Sequence, residues 1–114
     1  TFDQVKHIFP ALSESSGAYV SVFAGRIADT GIDPLPVMKD VINLISSNKN
    51  IELIWASPRE VFNVIQASDI LCHIITVTPD IINKLSIIEK DLDEYSLETV
   101  KTFYKDALSA GYKI

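Results

Sequence analysis

The sequence predicts an α/β protein with a parallel sheet, and three observations carry that expectation. Three short, almost wholly apolar runs are AYVSVFAGR (18–26), IELIWASPR (51–59) and CHIITVTPD (72–80), each stopping at a polar or charged residue. A helix-length amphipathic stretch follows each run, the rhythm of strand–helix units. The runs are continuously hydrophobic rather than alternating, which predicts strands buried on both faces.

The elements follow in order. Residues 3–14 (DQVKHIFPALSE) put Val5, Ile8, Phe9 and Leu12 on one helical face, with Asp3 as cap and Pro10 as a point of shortening or kinking. Gly17 ends that segment and the first strand takes 18–23. GRIADTGIDP (25–34) has the composition of a loop built for turns and ligand contact. A helix then starts at Pro34 or Pro36 and runs to about Ser47, burying Val37, Val41, Ile42, Leu44 and Ile45.

SNKN (47–50) is a turn and Ile51–Ala56 the second strand. Pro58 suits the first turn of a helix capped by Ser57, with Glu60 completing the capping pattern and the helix ending near Asp69. His73–Val77 is the third strand. Thr78 caps a helix opening at Pro79 with Ile81, Ile82 and Leu85 on its apolar face. EKDLDEYS (89–96) reads as a charged hinge. Leu97, Val100, Phe103, Tyr104 and Leu108 then face one way along a last helix that Gly111 closes.

At 114 residues the chain is one domain, spanning 1–114, and 47% hydrophobic against 22% charged residues marks it as globular rather than disordered. A net charge of −5 and scattered basic residues argue against nucleic acid or an anionic membrane as partner. No apolar stretch approaches the ~20 residues that span a bilayer. Cys72 is the one cysteine, which excludes an intramolecular disulfide and suits a reducing cytoplasm. The amino terminus, TFDQVKHIFP, has no initiator methionine and no signal-peptide pattern, so a chain cut at its start is the expectation.

The carboxyl ends of parallel strands are where α/β proteins bind ligands. Arg26 lies just past the first strand, and Ser57 and Arg59 lie at the end of the second. A guanidinium matches phosphate oxygens with a planar two-pronged fork, and a hydroxyl at a helix start adds a donor. Two such strand ends side by side make a phosphate clamp. Against it stands the plainer reading, two surface arginines and a helix-capping serine.

Ser21 and Phe23 alternate on the first strand and point to the same side, where Phe23 either walls a sugar pocket or joins the core. His7 and His73 read as structural. No metal-ligand spacing, glycine-rich phosphate loop or nucleophile elbow is present. None of the eight lysines falls within an expected strand, where burial would make an amine nucleophilic, so no catalytic residue is assigned.

The segments YVSVFAGRIADTG (19–31) and LIWASPREVFNVIQA (53–67) resemble the transaldolase family, including its fructose 6-phosphate aldolase branch. The likeness continues through HIITVTPDIINKL (73–85) and SLETVKTFYKDA (96–107), aligning the chain with the family's carboxyl-terminal half. The pairing of S-x-F-x-G-R-I with A-S-x-R is its most specific part. The resemblance implies part of a (β/α)₈ TIM-type barrel: three parallel strands with following helices plus a C-terminal helix, the upstream strands absent. It also implies a cofactor-free transferase of the pentose phosphate pathway. There a strand lysine forms a Schiff base with a ketose phosphate and passes a dihydroxyacetone unit to an aldose phosphate.

By the same resemblance Arg26, Ser57 and Arg59 fall on phosphate-binding positions. Ser21 and Phe23 fall on positions lining the substrate channel, and the phenylalanine favours transaldolase over aldolase. Thr1, Phe2 and Gln4 resemble residues just after the fifth barrel strand. Val22 and Pro58 are small departures. The large one is that the Schiff-base lysine, its acidic partner and a water-positioning threonine all belong to earlier strands.

Three strands do not close an eight-stranded barrel, nor do six from two copies, so a missing barrel half or self-association is expected as partner, with sugar phosphate as ligand. Alone, the chain is expected to be inactive. Two other readings are a sugar-phosphate-binding or assembly module that kept the clamp after losing the lysine-bearing half, and a small α/β interaction domain.

Overall fold

The computed structural model describes residues 1–14 and 16–113. Helix α1 (Phe2–Ser13) leads into strand β1 (Ala18–Val22), a short helix α2 (Ala24–Asp29) and helix α3 (Leu35–Ile45). Strand β2 (Ile51–Trp55), helix α4 (Phe62–Asp69) and strand β3 (Ile74–Ile75) follow, then helix α5 (Pro79–Lys84), a 3₁₀ turn (Leu85–Ile87) and helix α6 (Leu92–Ser109). The strands form one parallel sheet in the order β1-β2-β3. This is the α/β architecture that the apolar runs predict.

The core lies on one face of that sheet. Val20 and Val22 of β1 and Ile51, Leu53 and Trp55 of β2 are buried together with Met38, Val41 and Ile45 of α3 and Val5 of α1. Each such aliphatic side chain contributes about 1.5–3 kcal/mol by leaving water. Met38 is outside the expected stripe, yet it is fully buried, one turn before Val41 and two before Ile45.

The strands are not buried on both faces, contrary to their continuous hydrophobicity. Tyr19 and Ser21 of β1 are exposed and Glu52 and Ile54 of β2 only half-buried, alternating with the core residues. Helices α1 and α3 pack on the Val20–Trp55 side, and the opposite side is open among the described residues.

Several local expectations are corrected. Thr1, not Asp3, caps α1: its hydroxyl accepts the Gln4 N–H at 3.3 Å while Gln4 Oε1 accepts from the Thr1 amine at 2.7 Å. Asp3 instead pairs with Lys6 at 2.6 Å. Pro10 neither ends nor breaks the helix, because it sits on the exposed side where water can meet the carbonyl it leaves free. Ile8 is exposed, and Phe2 takes its expected place beside Phe9 and Leu12 against the core.

Half of the loop expected over 25–34 is the helix α2. The charged hinge is likewise helical from Leu92 onward, where Asp91 Oδ1 accepts the Glu94 N–H at 2.9 Å and caps α6. Side-chain capping and i,i+4 neighbours suffice to carry charged residues into a helix. None of the α6 residues is buried. The third strand is only two residues long, and Thr78 stands at the N-cap position of α5 as expected but makes no side-chain capping hydrogen bond.

Candidate functional site

Val22 of β1 pairs with Trp55 of β2 in parallel register, so the chain leaves both strands at the same edge of the sheet. Arg26 and Arg59 each come four residues after these partners. The ladder runs on past the strands: Ala56 donates its N–H to the Val22 carbonyl at 2.8 Å, and Gly25 donates to the Ala56 carbonyl at 3.3 Å. Backbone pairing therefore delivers both arginines to one place before any side-chain contact is made.

Gly25 is what allows the close approach. A Cβ there would lie 1.5 Å from the Ser57 carbonyl oxygen and 3.3 Å from Arg59 Nε. The Arg59 side chain thus crosses over the start of α2 at Gly25, the residue that precedes Arg26 in the chain. Arg26 is exposed, with its guanidinium carbon 5.3 Å from the centroid of the Phe23 ring.

Arg59 donates from Nε to Asp29 Oδ1 at 3.0 Å and from Nη2 to Asp29 Oδ2, a two-pronged ion pair between α2 and the loop after β2. Both side chains are about half exposed, at 50% and 51%. The hydrogen bonds and charge of Asp29 raise the Arg59 pKa above its already high ordinary value, so the guanidinium stays charged at any working pH.

Ser57 is not a helix cap. Helix α4 starts at Phe62, and Ser57 stands in the connecting loop with φ of 59°, a left-handed conformation costly for a residue with a Cβ. The buried Asn63 organises that loop instead. Its Oδ1 accepts the N–H of Arg59 at 2.7 Å and of Glu60 at 3.2 Å, and its Nδ2 donates to Gln66 Oε1 at 2.9 Å. The backbone donors that a helix start at Ser57 would have offered an anion are therefore spent on Asn63. The Ser57 side chain, the two guanidinium groups and the Asp29 carboxylate are polar groups of this edge.

Ser21 and Phe23 are both exposed, on the open side of β1 and just beyond its end. Phe23 is 54% exposed and so is not a core residue. His73 is structural, because its Nδ1 accepts the Leu53 N–H at 3.0 Å and stands in for a carbonyl beside the short strand β3. His7 donates from Nδ1 to the Asp3 carbonyl at 3.2 Å. Among the described residues no group of three or more His, Cys, Asp and Glu side chains gathers as a metal site. No described helix is long and apolar enough to cross a membrane.

Two hollows of the described surface lie away from the arginines. One is beside Asp3, Lys6 and His7; the other lies between Ile45, Asn48, Lys49, Ile51 and His73 at the opposite end of the strands. Neither hollow is lined by Arg26, Ser57 or Arg59, so the claim of the arginine edge rests on charge rather than on concavity.

Sequence reasoning missed Gly25, Asp29 and Asn63. The signal for Asp29 is its spacing of three from Arg26, which places both on one side of a helical turn. The turn-forming composition of 25–34 conceals it, because a loop gives that spacing no meaning.

The profile of the Transaldolase/Fructose-6-phosphate aldolase family matches residues 1–114. The chain belongs to the transaldolase/fructose-6-phosphate aldolase family. A probable transaldolase from Thermoanaerobacter sp. (strain X514) is 31% identical over 105 residues, covering 90% of this chain and 46% of the relative. A probable transaldolase from Nitrosopumilus maritimus (strain SCM1) is 31% identical over 98 residues, covering 83% and 42%. The chain thus spans less than half the length of these two transaldolase relatives. Among the described residues its strands, AYVSV, IELIW and II, hold no lysine.

Proposed function

We propose that this chain supplies the phosphate-binding part of a transaldolase-type active site. Arg26, Ser57 and Arg59 hold the phosphate of a ketose phosphate, and Ser21 and Phe23 line the path from it to the reacting carbon. The observation that carries this reading is the convergence of Arg26 and Arg59 at the carboxyl edge of two adjacent parallel strands, in a chain of this family.

The reaction is covalent. A lysine amine from outside these 114 residues attacks the ketose carbonyl and loses water to form an iminium. Carbon–carbon cleavage then releases an aldose phosphate, and the retained dihydroxyacetone unit adds to an acceptor aldehyde. The arginines bind a phosphate remote from that chemistry, and the binding energy orients the reacting carbon. The open face of the sheet, carrying Tyr19 and Ser21, lines the interior of the barrel that the rest of the enzyme completes. A cytoplasmic enzyme of sugar-phosphate metabolism suits the single cysteine.

The test is binding of fructose 6-phosphate to the intact protein and to its Arg26→Ala and Arg59→Ala variants. Each substitution should weaken binding by at least roughly tenfold, the scale of a hydrogen bond to a charged group. Unchanged binding in both variants overturns the clamp. Borohydride reduction with fructose 6-phosphate, followed by intact mass, should trap an adduct on a lysine outside this chain. Binding with no adduct would favour a sugar-phosphate-binding module.

A further inference from the structure

We infer that Asp29 is a positioning residue of this site, acting through Arg59; the inference rests on the phosphate-clamp reading. Three observations meet here. Arg26 and Asp29 are three residues apart on α2, so the helix presents a cation and an anion on neighbouring turns of one side. Arg59 arrives from the loop after β2, passes over Gly25 and places its guanidinium against the Asp29 carboxylate. The pairing takes Nε and Nη2, one edge of the fork, and leaves the Nη1 hydrogens free of Asp29.

Bringing two guanidinium groups to one edge is opposed by their like charge. The Asp29 carboxylate, paired with Arg59, offsets part of that repulsion where the site is empty. It also fixes the rotamer of a long side chain that is otherwise half exposed and free to move. Arginine is suited to this double use because its planar group can be held along one edge and still donate from another. A lysine at 59, with a single rotating ammonium, could not be held and still present a fixed donor.

A carboxylate so close to an anion site also has the opposite potential, as a competitor that must be displaced. The pairing favours the first role, because Asp29 takes the Nε–Nη2 edge of the fork and leaves the Nη1 donors for an anion. Asp29 is therefore the hinge-pin of the clamp rather than its plug.

The experiment is a double-substitution cycle in the intact protein, with inorganic phosphate and fructose 6-phosphate as probes and Asp29→Asn, Arg59→Lys and the pair as variants. Asp29→Asn should weaken both ligands by roughly three- to tenfold, as expected for coupled neighbours. In the Arg59→Lys background it should add nothing further. In turnover, Asp29→Asn should raise KM for the phosphorylated substrate far more than it lowers kcat, a split that a general loss of structure would not give. Tighter phosphate binding in Asp29→Asn would make the carboxylate a competitor and overturn the inference. An equal loss in the Arg59→Lys background would show that it does not act through that residue. If Arg26→Ala and Arg59→Ala both leave binding unchanged, the clamp reading falls as well. If Arg59→Ala weakens binding and Asp29→Asn does not, the positioning role alone is wrong.

Discussion

Gly25 and Ser57 touch through their backbones: the space a Cβ would need at Gly25 is filled by the Ser57 carbonyl, 1.5 Å from where that carbon would sit. The contact joins the start of α2 to the loop after β2 and so sets the distance between the two arginine-bearing segments. Gly25→Ala must push them apart, because the obstruction is backbone and cannot rotate away. We expect a loss of about 3 kcal/mol or more by denaturant unfolding, since a steric clash in a buried backbone belongs to the severe class of substitutions. Phosphate binding should fall with it.

Ser57→Gly should separate stability from binding. Relieving a left-handed serine gains about 1 kcal/mol, and the greater freedom of glycine in the unfolded chain takes back roughly the same. The denaturation midpoint should therefore barely move. Affinity for fructose 6-phosphate should drop by roughly tenfold through loss of the hydroxyl. Unchanged affinity would remove Ser57 from the site.

Asn63 tests how the Arg59 loop is held. Asn63→Leu leaves the N–H groups of Arg59 and Glu60 without their acceptor in a partly buried place, which should cost about 1–3 kcal/mol. Asn63→Asp keeps the acceptor and should cost less. Equal losses in the two variants would mean that packing, not acceptance of those N–H groups, is what Asn63 supplies.

Trp55 is fully buried, and its Nε1 has no hydrogen-bond partner among the described residues. Trp55→Phe removes that costly unpaired donor along with part of the ring. The two effects oppose, and we expect a net change within about 1 kcal/mol, against roughly 3–5 kcal/mol for Trp55→Ala. Thermal unfolding followed by circular dichroism reads both, since this is the only tryptophan and its fluorescence is lost with it.

Cys72 is partly buried, and burial pushes its thiol pKa up, partly offset by the backbone N–H groups of Ile74, Trp55 and His73. The folded state therefore keeps its proton to higher pH than the unfolded state. Stability from this source is fully present below the unfolded thiol pKa and is lost as pH rises through the folded one. Alkylation by iodoacetamide near pH 8 should be slower in the folded protein than in urea. Equal rates would contradict the burial.

The sheet and most helices are legible in the sequence because their signals are local. An apolar run such as IELIW excludes water wherever it sits, and the stripe Val41–Ile45 repeats at helical spacing. Boundaries are less legible where a single competing interaction decides them. Ser57 and Pro58 suggest an early start for α4, yet Asn63 captures the N–H groups of Arg59 and Glu60 and moves the helix start to Phe62. Residues 89–96 have the charge of a hinge, but one cap at Asp91 turns the stretch from Leu92 onward into helix.

The chain's residues by themselves determined the α/β class, the order of its strands along the sequence, the family to which it belongs and the arginines to examine. Each depends on composition and spacing that no distant contact can alter. Tertiary structure alone decided that helices cover only one sheet face among the described residues, that Gly25 lies against Ser57, and that Asp29 meets Arg59 from 30 positions away in the chain. Those facts arise from parallel pairing of β1 with β2, which brings together segments whose separation in sequence carries no record of their approach.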